Sequence, residues 1–242
     1  MNIMLKIQYD GTDFYGSQIQ PAGRTVQGEL ESALKKIFSA RIVTVFSGRT
    51  DSGVHAREQV VNFHIPASEI PPDKIFHPLN RLLPDDILVI SSEEVKDDFN
   101  ARYSAKMRTY RYYFRKEHNL FRDRYTLTCP FGIDIEKVNN YTHLFTGKKD
   151  FRSFCSANAE VNSYICDIKK IHFFKERDET VMEIASDRYL QNMVRIIVSV
   201  FLEISRNKIS EKNILEIFEK KDRRAAPKTI SPKGLFLWKI DY

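Results

Sequence analysis

Strands and helices mix along this chain without strict strand–helix–strand alternation. That pattern predicts an α+β fold, with a mixed, mostly antiparallel sheet flanked by helices, rather than a doubly wound parallel sheet. Three observations carry the expectation. Leu5, Ile7 and Tyr9 alternate with Lys6 and Gln8, the two-residue period of a half-buried strand. Val26, Leu30, Ala33, Leu34, Ile37 and Phe38 fall on one face of a helix. Thr109, Tyr110, Tyr112, Tyr113 and Phe114 are β-formers threaded with arginines.

Taken in order, the first strand closes at the turn pair Asp10-Gly11. Thr25 is the expected N-cap of the first helix, with Gly28 standing where a capping box would place Glu. Strands are expected over Ile42–Phe46 and Glu58–Ile65, and the loop Ser47 to His55 between them lacks apolar periodicity. A short helix is expected over Pro78–Leu83, starting at its proline, followed by strand character over Ile87–Val95. Strand-like composition begins at Phe99. Helical spacing returns at Val138, Tyr141, Leu144 and Phe145. Strands follow near Ile168–Phe174 and Thr180–Ala185, then the longest expected helix, about Leu190–Arg206. Ser210 caps a last helix that buries Ile214, Leu215, Ile217 and Phe218, and Leu235–Ile240 is a closing strand. Each half holds strands and packing helices, so the expected division falls near residue 105, giving parts 1–104 and 105–242.

With 242 residues, 42% of them hydrophobic, the chain can bury a core as one large domain or two small ones. Its 38 Lys+Arg against 32 Asp+Glu give a net charge of +6, which favours a polyanionic partner without identifying one. Cys129, Cys155 and Cys166 have neither a CxxC nor a zinc-ligand spacing, so no disulfide framework and no metal site are expected. The six histidines have no metal spacing either. The opening residues carry Lys6 and Asp10 in a strand pattern rather than a signal peptide, and Ile196–Ile204 is interrupted by Ser199 and Glu203. The expected setting is the cytoplasm, with no membrane contact.

Four segments could carry chemistry. In Gly48-Arg49-Thr50-Asp51-Ser52-Gly53-Val54-His55, two glycines bracket a carboxylate in a loop between strands. Arg49 can keep Asp51 ionised and can also meet a phosphate. On residue types alone this is either a reactive carboxylate or an Asx-type turn, and His55 is either a participant or a structural loop histidine. From Arg102 to Arg115, basic and aromatic residues interleave. Arg108, Tyr110 and Tyr112 share one strand face, and Arg111, Tyr113 and Arg115 the other. Aromatic faces stack on bases while guanidinium groups grip phosphates, although the same pattern also describes a tyrosine-rich core strand with solvated arginines. Arg195 lies amid Met193, Val194, Ile196 and Ile197 and needs a partner, either Asp51 or a neighbour of its helix. The cluster Lys220-Lys221-Asp222-Arg223-Arg224 reads as a solvated helix end.

These residues bring out a resemblance. The chain resembles the tRNA pseudouridine synthase A family over nearly its whole length. The matching segments are Tyr9-Asp10-Gly11-Thr12, Arg24-Thr25-Val26-Gln27-Gly28 and Gly48-Arg49-Thr50-Asp51-Ser52-Gly53-Val54-His55-Ala56. They continue with Phe99-Asn100-Ala101-Arg102, Tyr110-Arg111-Tyr112, Phe151-Arg152-Ser153-Phe154, Asn192-Met193-Val194-Arg195 and Gly234-Leu235. The resemblance implies two similar subdomains around a central cleft, and a homodimer. It implies an isomerase that turns uridine into pseudouridine without a cofactor, most directly in the tRNA anticodon stem-loop. Asp51 would be the catalytic aspartate and Tyr110 would lie against the target uridine. Arg49 would help flip the base and hold the aspartate, and Arg195 would be a further active-site residue. There are departures. Ser17 replaces the family's Trp in Gly-Trp-Gln, Cys166 replaces an Arg, and Thr229-Ile230-Ser231-Pro232 replaces Thr-Ala-Pro. They leave ribosomal RNA as an alternative substrate, and a non-catalytic RNA-binding module as an alternative of another class.

Overall fold

Alternation over Asn2–Tyr9 produces β1, with Ile3, Leu5 and Ile7 fully buried on one face. The computed structural model describes residues 1–66, 68–157, 159 and 161–242. The chain divides into two compact units. One comprises Met1–Lys106 together with Phe236–Tyr242, and the other is Met107–Leu235.

In the first unit, β3 (His55–His64) runs antiparallel to β1, and β4 (Ile87–Val95) borders β1 antiparallel on its other side. The last strand, β10 (Leu235–Asp241), joins β3 in parallel. Helix α1 (Val26–Phe38) begins where Thr25 Oγ1 accepts the Gly28 N–H at 3.2 Å. Gly28 cannot return the bond, so the cap is one-sided. Helix α1 packs on α2 (Phe76–Leu82), and α2 packs on β4.

Two expectations shift here. Strand β2 covers only Val45–Phe46, not Ile42–Phe46, because the Thr44 N–H and hydroxyl both turn to the Glu31 carboxylate at 2.9 Å. Helix α2 starts at Phe76 rather than Pro78. Its first turn is set from outside, by the Ser92 hydroxyl accepting the Phe76 N–H at 3.2 Å. Pro78 is tolerated within that turn because its missing N–H would have had no helical partner there. The residues from Phe99 to Lys106 are not strand. Asn62 Oδ1 accepts the Ala101 N–H at 2.8 Å, and Asn100 Oδ1 accepts from Arg102 and Tyr103, so side chains use the groups a ladder would need.

The second unit orders its strands as β5 (Met107–Arg115), β9 (Glu179–Ser186), β8 (Ile165–Glu176) and β7 (Gly147–Asp150), each antiparallel to the next. A two-residue β6 (Leu127–Thr128) lies parallel to β5. Helix α3 (Ile135–Asn140) packs on β8 and on α4 (Met193–Ser205). Helix α4 is shorter than its apolar pattern and equal in length to α1. It starts after Asn192, whose φ of 64° is left-handed, a conformation asparagine adopts more readily than most residues. The core gathers Phe145, Phe151, Phe154, Phe173, Phe201 and Phe218, with ring centroids 4.7 to 5.8 Å apart. Such pairs add about 0.5–1.5 kcal/mol each beyond area burial. Helix α5 (Glu211–Lys220) opens with a capping box in which Asn213 reciprocates Ser210. All three cysteines are buried, and burial pushes the Cys129 and Cys166 thiols up to about 11 and about 12. No described helix is long and apolar enough to cross a membrane, and no described cluster of His, Cys, Asp and Glu is placed to hold a metal.

Candidate active site

The segment around Asp51 is built from its neighbours outward. Thr50 is 6% exposed and held on three sides. Its N–H donates to Ser17 Oγ at 2.9 Å, its carbonyl accepts the Ser17 N–H at 3.1 Å, and its hydroxyl lies 2.8 Å from the Tyr9 hydroxyl. Gln59 Nε2 donates to the Gly48 carbonyl at 2.8 Å, and the Ser47 hydroxyl donates to Gln59 Oε1 at 2.6 Å. Gln59, Ser47 and Ser17 are at most 1% exposed, so these bonds form where water does not compete.

Past Asp51 the chain turns at once. The Val54 N–H donates to the Asp51 carbonyl at 3.1 Å. Gly53 takes a φ of 76° and donates its N–H to the Phe14 carbonyl at 3.3 Å, which also accepts from the Ser52 hydroxyl at 3.0 Å. Asp51 therefore sits half-buried between two fixed points, on the same loop as Arg49, whose side chain is exposed.

His55 closes the loop and is fully buried. Its Nδ1 lies 3.1 Å from the Gly11 N–H and 3.1 Å from an Asp10 carboxylate oxygen, and its ring stacks on Phe236 at 4.6 Å. These contacts tie the turn after β1 to the start of β3, which is a structural role. The Ser17 departure is also absorbed, because its small hydroxyl supplies the acceptor for the Thr50 N–H.

In the second unit, Tyr110 lies on β5 opposite Ile184 and is 6% exposed. The Tyr189 ring meets it edge-on, with centroids 5.1 Å apart at 84°. Arg195 Nε donates to the Ile230 carbonyl at 2.8 Å, and its Nη1 donates to Asn192 Oδ1 at 2.8 Å. The Tyr112 hydroxyl donates to the next carbonyl, Ser231, at 2.6 Å. Burial pushes the Tyr112 phenol up, and the nearby Arg195 charge opposes that shift. The divergent Ile230-Ser231 segment is thus gripped by two side chains from the motifs.

The interleaved strand divides its labour. Arg111 pairs with Glu183 at 2.9 Å directly across to β9, and Arg115 with Glu179 at 3.1 Å. Tyr112 is fully buried. Tyr112 fits the core-strand reading, whereas Arg111 and Arg115 are largely covered and ion-paired across the sheet rather than solvated. Residue types alone missed Ser17, Gln59 and Tyr189. Their role lies in whom they bond, and no local spacing announces it.

A family model described as tRNA pseudouridine synthase matches residues 6–104 and 142–242. The tRNA pseudouridine synthase A of Bacillus licheniformis is 42% identical over 246 residues, covering 100% of this chain and 99% of the relative. That of Halalkalibacterium halodurans is 44% identical over 236 residues, covering 96% and 89%. That of an Exiguobacterium species is 38% identical over 240 residues, covering 99% and 97%. The chain belongs to the tRNA pseudouridine synthase family, isomerases that convert uridine to pseudouridine in tRNA.

Proposed function

We propose that Asp51 is the carboxylate that carries the isomerisation, and that Arg49, Tyr110 and Arg195 contact the substrate nucleotide. One observation supports this most. Asp51 is half-buried and pinned on both flanks, yet shares its loop with an exposed arginine. A group that only closed a turn would not require both flanks to be fixed, Thr50 by the buried Ser17 and Tyr9 hydroxyls and Ser52 and Gly53 by the Phe14 carbonyl. Rigid placement of this kind is what a reacting carboxylate needs.

The reaction breaks the N1–C1′ glycosidic bond, rotates the uracil and rejoins it through C5. No oxidation state changes, so no redox cofactor is required. Asp51 serves either as a nucleophile or as a base at the sugar. The uridine first leaves its stack, at a cost of a few kcal/mol, and Arg49 is suited to fill the vacated space. Tyr110 either stacks on the uracil or moves the C5 proton. Arg195 contributes a fixed positive charge. Residues 1–104 supply the carboxylate, and residues 105–242 most of the RNA contacts.

The substrate region we infer is the tRNA anticodon stem-loop, acted on by a homodimer in the cytoplasm. The names of the relatives specify tRNA, and ribosomal RNA is not favoured. Incubating the purified protein with tRNA and with ribosomal RNA, then mapping pseudouridine, tests this. New pseudouridine confined to anticodon stem-loops is expected. Product confined to ribosomal RNA, or product on neither, would overturn it. Light scattering on the same sample should give twice the mass of one chain.

A further inference from the structure

Tyr15 is a large aromatic side chain, 59% exposed, on the segment that braces the Asp51 loop. Its neighbours on both sides touch that loop. The Phe14 carbonyl accepts the Gly53 N–H at 3.3 Å. At Gly16, with φ +94°, an added Cβ would stand 2.8 Å from the Thr50 carbonyl oxygen. The Tyr15 main chain is fixed as well. Its N–H donates to the Arg24 carbonyl at 2.8 Å, and the Gln20 side chain donates to its carbonyl.

The ring itself is held in place. A Cβ built on Gly23 would fall 2.4 Å from Tyr15 Cγ and 2.5 and 2.9 Å from its two Cδ atoms. Near-equal distances to both Cδ atoms put Gly23 over a face of the ring, not at its edge. Only a glycine allows so close an approach, and its φ of +89° also favours glycine. One ring face therefore rests on backbone while the rest of the side chain meets solvent. An exposed tyrosine with nothing to hold would lose little by swinging free, whereas this one is pre-set, with its backbone one residue from atoms that touch the loop of Asp51 and the exposed Arg49.

We propose that the open face of Tyr15 is a stacking platform for a base of the RNA next to the target uridine. The proposal rests on the reading of Asp51 as the reacting carboxylate, since that places the target there. Flipping one nucleotide leaves its neighbours without a stacking partner, and every base has a π-face to offer an aromatic ring. A held ring captures such a base without first losing rotamer freedom. The contact favours RNA opened at the target and tolerates different neighbouring bases.

The test uses anticodon stem-loop RNA, intact or with an abasic residue at either neighbour of the modified uridine. Tyr15→Ala should weaken binding and raise KM about tenfold, with kcat at saturating RNA within about twofold. Tyr15→Phe should match the wild type, because the ring alone is needed. An abasic residue at one neighbour should weaken wild-type binding by a similar factor and leave Tyr15→Ala unaffected. Tyr15→Ala binding like the wild type would overturn the proposal, as would losses from the variant and from both abasic RNAs that simply add. Binding is read without turnover, so the two readings fail separately. A wild type that forms no pseudouridine yet shows the Tyr15-dependent affinity sinks the enzyme reading and keeps the contact. An active wild type indifferent to Tyr15 does the reverse.

Discussion

The Tyr9 hydroxyl lies 2.8 Å from the hydroxyl of Thr50, the residue that precedes Asp51. Tyr9 comes from the end of β1 and is 5% exposed, so this bond fastens the loop to a strand paired on both sides, by β3 and β4. Tyr9→Phe keeps the ring and removes only the oxygen. The Thr50 side chain then loses a buried partner, at about 1 kcal/mol. If the bond positions Asp51, kcat should fall about tenfold while KM changes little, because misplacement acts on the transition state. Turnover on tRNA together with thermal unfolding separates the two effects. Unchanged kcat with lowered stability would make the bond purely structural.

Burial also pushes the Tyr9 phenol up to about 12, from 10.0. A raised phenol means the folded protein holds its proton after the unfolded chain has released it. The associated stability is complete below about pH 10 and is lost as pH rises from 10 through 12. Tyr9→Phe removes that contribution. Its unfolding free energy should fall less steeply across this window, by at most about 1.4 kcal/mol per pH unit. Burial raises Tyr112 and Tyr113 as well, so some slope remains. Denaturant titrations at several pH values give the comparison, and identical slopes would mean that Tyr9 is not the group responsible.

Asp51→Asn keeps the side-chain volume and its hydrogen-bonding reach but removes the negative charge. Thr50, Gly53 and Val54 hold the loop through atoms other than the Asp51 carboxylate. The fold and the affinity for tRNA should therefore survive while pseudouridine formation is abolished. Filter binding and product mapping on one preparation measure both. Substantial turnover by this variant would remove Asp51 from the mechanism.

Tyr110→Phe asks a narrower question. The ring packs edge-on against Tyr189, and phenylalanine keeps that contact. Binding should persist while most turnover is lost, because the hydroxyl is the part able to move a proton. A rate equal to the wild type would reduce Tyr110 to a packing or stacking surface.

Local physics explains which features were legible in the sequence. The Thr25 cap, the apolar face of α1, the span of β4 and the Ser210 cap follow from neighbours within a few residues, and each appears where the pattern placed it. Three of the misread boundaries have causes distant in the chain, whereas the late start of α4 is set locally by Asn192. Glu31 takes the backbone of Thr44, Ser92 sets the start of α2, and Asn62 holds Ala101 out of the sheet. The same holds at the candidate site. Asp51 and Arg49 stand out as a glycine-bracketed pair. Ser17 and Gln59 act on that loop across 33 and 11 residues of chain, and no periodicity reports such a bond. Arg111 and Arg115 misled in the opposite direction, since their partners on β9 come into view only once the strands are paired.

Gly11 gives the most direct test of how tightly the loop is placed. A Cβ there would stand 2.0 Å from the Val54 carbonyl oxygen and 2.4 Å from its carbon. Both are backbone atoms, so no rotamer change relieves the clash, and residues 54 and 55 must move. Val54 closes the turn on the Asp51 carbonyl at 3.1 Å, so the displacement reaches the carboxylate. Gly11→Ala should cost about 1–3 kcal/mol, as overpacking does, and should lower kcat beyond what lost stability explains at a temperature where the variant is folded. Gly132→Ala is the control. Its φ of +68° makes alanine strained by about 1–2 kcal/mol, but nothing lies within 4 Å of the new carbon. That variant should melt earlier and still turn over at the wild-type rate. Equal effects of the two substitutions on kcat would mean that activity follows global stability, and that the close approach of Gly11 to Val54 does not position Asp51.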